Sequence, residues 1–400
     1  MTVTFLPMEA IGEDGRLDLS HQRLLKNVLN GYTYLSEGDV CIAKITPCFE
    51  NGKGAVISGA KNGIAFATTE VIAFRCKRSA DARFVYYLLI SSPFKPDAEA
   101  SMHGAGGQKR VSDRFAANYP ALLPPPAERL SIAKFLDYET AKIEALIGKQ
   151  QQLIALLEEK RQAVISNAVT KGLNPDVPMR DSGVEWLGEV PAHWQIVRSK
   201  RHFPESYRRA DPNDEQLTAS QEWGVILQED FVRRAGRRVV QINQHLERRK
   251  RVERDNFVIS MRSFQGGLER AWVSGGIRSS YVVLKASAEV EVGYFERLFK
   301  SGQYIQALQA TANFIRDGQD LNYQNFCLVD LPLPSKEEQA SIALFLDDET
   351  AKVSSLIEKS SLCVNLLQER RTALISAAVT GKIDVRGWKP PEPQNDWEVA

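Results

Sequence analysis

Cysteine is scarce and scattered in this chain, with five in 400 residues, at Cys41, Cys48, Cys76, Cys327 and Cys363. The number is odd and no two form a C-x-x-C pair, which speaks against a disulfide framework or a structural zinc site and for reduced thiols. No apolar run approaches the roughly 18–20 residues that span a bilayer. The opening stretch, MTVTFLPMEAIGEDG, has neither a basic nor an apolar segment, so a cytoplasmic location is expected. Phosphate-loop, G-x-S-x-G and H-E-x-x-H patterns are missing as well. Residues 104–109 (GAGGQK) are the nearest glycine-rich stretch, but no strand leads in and no Ser or Thr follows the lysine. The five histidines show no metal spacing, and His193 in its Pro-Ala-His-Trp turn reads as a packed structural residue. Nor is there an Asn-Pro-Pro-aromatic run to hold a flipped adenine, or an acid–lysine nuclease cluster. These absences describe a reader: no enzyme, and no cofactor or metal of its own.

What is present is average in bulk, with 43% hydrophobic and 25% charged residues, and long enough for two or three domains. The net charge of +1 conceals a division. Residues 196–285 carry 18 Lys/Arg against 11 Asp/Glu, so the remainder is net acidic. That asymmetry points to one region meeting a polyanion. The plainer alternative is a solvated arginine-rich surface.

The dominant signal is an internal repeat. Residues 131–142 read SIAKFLDYETAK and residues 341–352 read SIALFLDDETAK, an offset of 210; over 131–170, 23 of 40 residues match their partners. A period this long means a duplicated domain pair, not a solenoid. Each copy is helical. Ile132, Phe135, Leu136, Ile143, Leu146, Ile147, Leu153, Ile154, Leu157, Val164 and Ile165 recur mostly at three- and four-residue steps, with no interior proline. About 40 residues make a rod on the order of 60 Å long. Its narrow stripe needs a partner, and the other copy is the obvious one.

Between the rods lie short β-like runs at 40–43, 55–57, 71–74, 257–259 and 281–284, and helix-like segments at 83–92 and 293–302. Loops rich in glycine and polar donors follow them. In the second block 261–270 (MRSFQGGLER) offers Arg262, Ser263, Gln265 and Arg270 as phosphate or base contacts, with Gly266 and Gly267 allowing close backbone approach to DNA. Arg278 is a further candidate. The first-block counterpart, 44–54 (KITPCFENGKG), offers Lys44, Thr46, Asn51 and Lys53. Two more loops stand just ahead of the rods, one with Gln108, Lys109 and Arg110, the other with Arg316 and Gln319. Basic clusters at 233–238 and 248–251 supply sequence-independent phosphate attraction. Taken singly, each loop also reads as a turn with solvated charges.

At this point the chain resembles the specificity (S) subunit of type I restriction–modification systems. The resemblance covers almost its whole length. Residues 181–194 (DSGVEWLGEVPAHW) look like the opening of that family's second target-recognition domain, and the rods look like its central and distal conserved helices. Each rod is preceded by a proline and a glutamate, Pro124 with Glu128 and Pro334 with Glu338-Gln339. Stretches 5–12, 43–54 and 258–267 look like runs recurring in its recognition domains.

The resemblance implies an α+β fold: two mixed α/β target-recognition domains separated by two long helices that pair as an antiparallel coiled coil, with an internal pseudo-twofold repeat. The expected boundaries are 1–122 and 173–330 for the recognition domains, 123–172 and 331–382 for the helices, and 383–400 for a tail. It implies a non-catalytic DNA-recognition subunit, each domain reading one half of a bipartite asymmetric site. Two methyltransferase subunits carrying S-adenosylmethionine would dock on the rods. Restriction–translocase subunits would bring ATP and Mg. One departure is that the first domain begins abruptly and lacks a counterpart of Pro191-Ala-His-Trp194, so an N-terminally truncated first domain is expected. Two rivals stand beside this reading. One is a self-contained adenine methyltransferase or nuclease; the other is a diverged scaffold that binds partner subunits without full DNA specificity.

Overall fold

In the computed structural model the chain is described at residues 1–104, 107–236, 246–260, 263–311 and 321–391. It divides into two units, residues 1–153 with 359–400, and residues 154–358.

The first unit begins with seven strands: Thr2–Leu6 (β1), Gln22–Leu24 (β2), Thr33–Ser36 (β3), Val40–Ala43 (β4), Gly54–Val56 (β5), Ile64–Ala67 (β6) and Val71–Phe74 (β7). They form a sheet ordered β2-β1-β6-β3, in which β1 and β6 run parallel, and an antiparallel sheet ordered β5-β4-β7. The run VCIA of β4 is buried at all four positions, as its unbroken apolar sequence requires of a central strand. Helices Ala82–Leu89 (α1), Lys95–Ala100 (α2) and Asp113–Ala117 (α3) follow, then the long helix Pro126–Lys171 (α4). The larger core packs Val40, Ile42, Ile72, Phe84, Tyr87 and Phe94 against Ile132 and Leu136 of α4 and against Ile375 and Val379.

The second unit is richer in aromatics. Its elements in order are Met179–Asp181 (β8), Glu189–Pro191 (β9), Gln195–Arg198 (β10), Ser199–His202 (α5), Leu217–Ser220 (β11), Gly224–Leu227 (β12), Gln228–Ala235 (α6), Lys250–Val252 (β13), Phe257–Ile259 (β14), Ser263–Gly266 (α7), Glu269–Arg270 (β15), Gly275–Ile277 (β16), Val282–Leu284 (β17), Val292–Phe299 (α8), Gly302–Ala310 (α9), Tyr323–Cys327 (α10), Asp330–Leu333 (β18) and the second long helix, Lys336–Val379 (α11). Phe203 sits at the centre, its ring 4.9–6.0 Å from those of Phe257, Phe295, Phe299 and Phe326. Strand β18 pairs antiparallel with β10 just before α11 begins, and Trp186 Nε1 donates to the Asp330 carbonyl at 3.1 Å.

Within each unit the early part of one long helix lies with the late part of the other. In the first, Arg371 forms an ion pair with Glu144 at 2.8 Å across the helix pair. In the second, Ile165 and Val169 share a core with Ile342 and Leu346. The inward stripe on α4 runs Leu136, Thr140, Ile143, Ile147, Gln150, Ile154, Leu157, Arg161, Val164, Ala168, alternating steps of four and three, a heptad pattern. The same positions plus 210 are buried or half-buried on α11. This corrects the expected stripe at two places: Leu146 and Leu153 stand off it, 48% and 42% exposed. Polar Thr140, Gln150 and Arg161 take positions that a reading of apolar residues alone passes over.

No described helix is long and apolar enough to cross a membrane.

Candidate nucleic-acid interface

In the first unit the structure brings together two loops that lie far apart in sequence. Residues 44–54 leave β4 and meet residues 107–111 through a bridge between Ile45 and Arg110. Thr46 is the fastener: its hydroxyl donates to the Gly107 carbonyl at 2.7 Å and accepts from the Lys109 amide at 3.0 Å. The peptide bond from Thr46 to Pro47 is cis. On this joined platform Lys44 pairs with Asp113 at 3.3 Å and Lys53 Nζ donates to the Met8 carbonyl at 3.0 Å. Arg110 grips both Glu70 oxygens, at 2.8 and 3.0 Å. These three cations are therefore occupied. The side chains of Asn51, Gln108 and Lys109 are exposed and have no partner among the described residues.

In the second unit the corresponding loop begins after β14. Arg262, Arg316 and Gln319 lie outside the described residues. Ser263 is fully buried, and its hydroxyl accepts from the Ser260 amide at 2.9 Å, closing the turn. Gly267 has φ +76°, and a Cβ there would lie 1.9 Å from the Phe299 carbonyl oxygen. A Cβ on Gly266 would meet the Gln221 amide at 2.6 Å. Gly267 thus packs closely against backbone inside the unit, while Gly266 faces the end of a flexible side chain. Arg270 has partners within the unit. It stacks on Trp272, with Cζ 4.3 Å from the ring centre, and donates to Asp255 at 2.7 Å and Glu296 at 2.8 Å. Gln265 and Arg278 remain exposed, without partners among the described residues.

The basic clusters divide in the same way. Arg249 is 3% exposed, and its guanidinium donates to the carbonyls of Asp211, Pro212 and Asp214 at 2.9–3.0 Å, sewing that loop to β13. Lys250 pairs with Glu205 at 3.2 Å and Arg251 with Asp214. The expected phosphate-attracting run at 248–251 is therefore mostly structural, because loop carbonyls and carboxylates from distant segments converge on it. Arg233 and Arg248 do point outward, 77% and 67% exposed at the side chain.

Behind the loop sits a feature with no warning in the sequence. Glu269 is 1% exposed; Lys300 Nζ donates to its Oε1 at 2.7 Å, while Oε2 has no partner. Burial pushes its pKa up to about 7, against the pull of Lys300. It lines a cleft of about 360 Å³ together with Trp223, Trp272 and Arg161. β12 and β15 bring those residues together, so no sequence window contains them.

Among the described residues no group of His, Cys, Asp and Glu could hold a metal ion.

No family model matches the chain. It is similar to the specificity subunits of two type I restriction enzymes of Escherichia coli. To the EcoAI subunit it is 36% identical over 169 residues, 41% of this chain and 26% of that one. To the EcoEI subunit it is 40% identical over 135 residues, 32% of this chain and 22% of that one. The match thus spans about a quarter of the length of these curated relatives. The HsdS subunit from Thermoanaerobacter tengcongensis superposes with a TM-score of 0.52 at 16% identity, covering 96% of this chain and 91% of that one. A chain from a structural study of complex assembly and conformational transition in the type I R-M system superposes with a TM-score of 0.66 at 17% identity, covering 96% and 92%. The fold is therefore the one these two solved chains share.

Proposed function

We propose that this chain is the DNA sequence-recognition subunit of a type I restriction–modification complex. Each unit presents one recognition block that reads one half of a bipartite asymmetric site. The observation that carries this reading is a repeated frame bearing unlike surfaces. Strand β4 and strand β14 each lead into a polar loop, one ending in free Asn51, Gln108 and Lys109, the other in free Gln265. Amides and ammonium groups on loops braced from behind suit base edges and phosphates. Arg278 is a further free candidate, and Lys44, Thr46, Lys53, Arg110, Ser263, Gly266, Gly267 and Arg270 shape and hold those loops.

The rods dock two methyltransferase subunits and set the distance between half-sites. Matched apolar side chains on the outer face support this. Leu146 and its counterpart Leu356 are 48% and 49% exposed, and Leu156 and Leu366 are 54% and 55% exposed. Bare leucines repeated at equivalent positions fit two copies of one partner. Methyl transfer from S-adenosylmethionine and ATP-dependent, Mg-dependent translocation belong to those partners and to the restriction subunits, and the chain itself performs no chemistry.

Methylome sequencing tests this reading, comparing a host that expresses the chain with a cognate modification subunit and a host lacking the chain. A new bipartite motif with methyladenine in both halves is expected. Stable co-purification of the two subunits without new methylation would overturn it and favour a scaffold.

A further inference from the structure

The long helices repeat each other, and so do the packed helices that lean on them, which makes each unit a control for the other. Tyr87 of α1 donates to Asp137 of α4 at 2.7 Å, and 210 residues later Arg297 of α8 donates to Asp347 of α11 at 2.7 Å. At Glu144 and its counterpart Ser354 the copies part. In the first unit Glu144 pairs with Arg371 at 2.8 Å, and Tyr86, 1% exposed, lies beside the guanidinium. In the second unit those three positions hold Ser354, Arg161 and Glu296. A serine hydroxyl supplies no charge, and Glu296 accepts from Arg270 at 2.8 Å instead. Where a tyrosine ring and a carboxylate stand in one copy, the other has the cleft of about 360 Å³, lined by Arg161, Ser354 and Glu296.

The cleft's other cations are spent: Arg270 on Glu296, Arg297 on Asp347 at 2.7 Å and Lys300 on Glu269 at 2.7 Å. Arg161 has no partner among the described residues. A guanidinium presents a planar fork that matches a carboxylate, and a carboxylate is what its counterpart Arg371 holds. Trp223 and Trp272 add flat apolar faces to the walls, Trp272 being 40% exposed. Glu269 lines the same cleft, and its buried Oε2 is an acceptor without a donor. We infer that this cleft binds a small aromatic carboxylate that carries an amine. Arg161 takes the carboxylate as Arg371 takes Glu144, an indole face takes the ring, and Glu269 accepts from the amine. None of the free residues assigned to DNA lines the cleft, so the inference does not depend on that assignment.

The test uses the whole chain and para-aminobenzoate as the probe. Titration calorimetry is expected to show saturable binding at one site per chain, because the first unit supplies its own carboxylate. Ser354→Glu restores the missing partner and should weaken binding roughly tenfold or more, as should Arg161→Gln, which removes the fork. Ser354 is exposed and Arg161 has no partner to orphan, so melting temperatures at or above the parent's confirm that both variants are folded. Aniline, without the carboxylate, and benzoate, without the amine, should each bind several-fold more weakly. Absence of binding at millimolar probe would overturn the inference, the result expected if residues of the chain itself fill the cleft. So would undiminished affinity in Ser354→Glu, or benzoate binding as tightly as the probe. Displacement by equimolar inorganic phosphate would overturn it as well, marking a general anion site. So would displacement by a cognate modification subunit, because the occupant would then be that partner's acidic side chain.

Discussion

Arg129 and Gln339 stand 210 residues apart and each donates to the carbonyl of the proline two residues ahead of its own long helix, Arg129 to Pro124 and Gln339 to Pro334, both at 2.9 Å. Each then reaches sideways to the segment before the block's packed helix. Arg129 forks onto Asp81 at 3.0 and 2.9 Å, and Gln339 accepts from the Glu291 amide at 2.7 Å while donating to the Glu289 carbonyl at 3.1 Å. Two unlike side chains do one job, tying rod to block. The buried Gln339 amide makes three bonds, so Gln339→Leu is expected to cost about 2–4 kcal/mol by orphaning its partners. Urea unfolding of the second unit checks this, and a loss under 1 kcal/mol would show that the tie is dispensable.

A second expectation concerns Gly267. Its positive φ and the Phe299 carbonyl oxygen leave no room for a methyl group. Gly267→Ala should lose roughly 3 kcal/mol or more, through strain and a backbone clash together. Thermal melts are the readout, and a variant as stable as the parent would mean that the loop rearranges freely.

The pH dependence of stability follows from Glu269. Its carboxyl titrates at about 7 when folded against 4.5 when free, so the folded chain binds the extra proton between those values. Its stabilising contribution is complete below pH 4.5 and is lost as pH rises through 7, a decline of about 3 kcal/mol at most. Urea midpoints at pH 5 to 8 should fall for the parent and stay flatter in Glu269→Gln. Parallel slopes would remove Glu269 as the cause.

On the proposed DNA surface, Gln265 and Lys109 should separate by kind. Gln265→Ala is expected to lower affinity for the cognate site by about tenfold, the scale of one base contact, while leaving random DNA unaffected. Lys109→Ala should weaken cognate and random duplexes alike and reduce the salt slope by about one. Competition binding at two salt concentrations distinguishes them, and reversed behaviour would exchange their roles.

Much of the frame was legible beforehand, for reasons particular to certain residues. Val40–Ala43, Val71–Phe74 and Phe257–Ile259 are unbroken apolar runs, and the structure puts strands at those residues. The repeat announced both rods. Strand Gln22–Leu24 was not legible because all three of its residues are exposed and carry no apolar pattern. Leu146 and Leu153 read as part of the stripe in sequence because three- and four-residue steps fit two neighbouring helix positions equally well. The loops were the least transparent. Whether Arg249, Arg251 or Arg270 points outward depends on carbonyls and carboxylates 15 to 38 residues away in sequence, and no local window holds that information.

Arg249, Lys250, Arg251 and Arg270 all direct their charge into the second unit. The exposed cations, Arg233, Arg248 and Arg278 among them, are the ones a polyanion could touch at this block, while the net surplus still sets the field at a distance. The inward arginines stiffen the base under the exposed Gln265 amide, so under the proposed function discrimination would fall to short-range fit, where a rigid surface tolerates few near-matches.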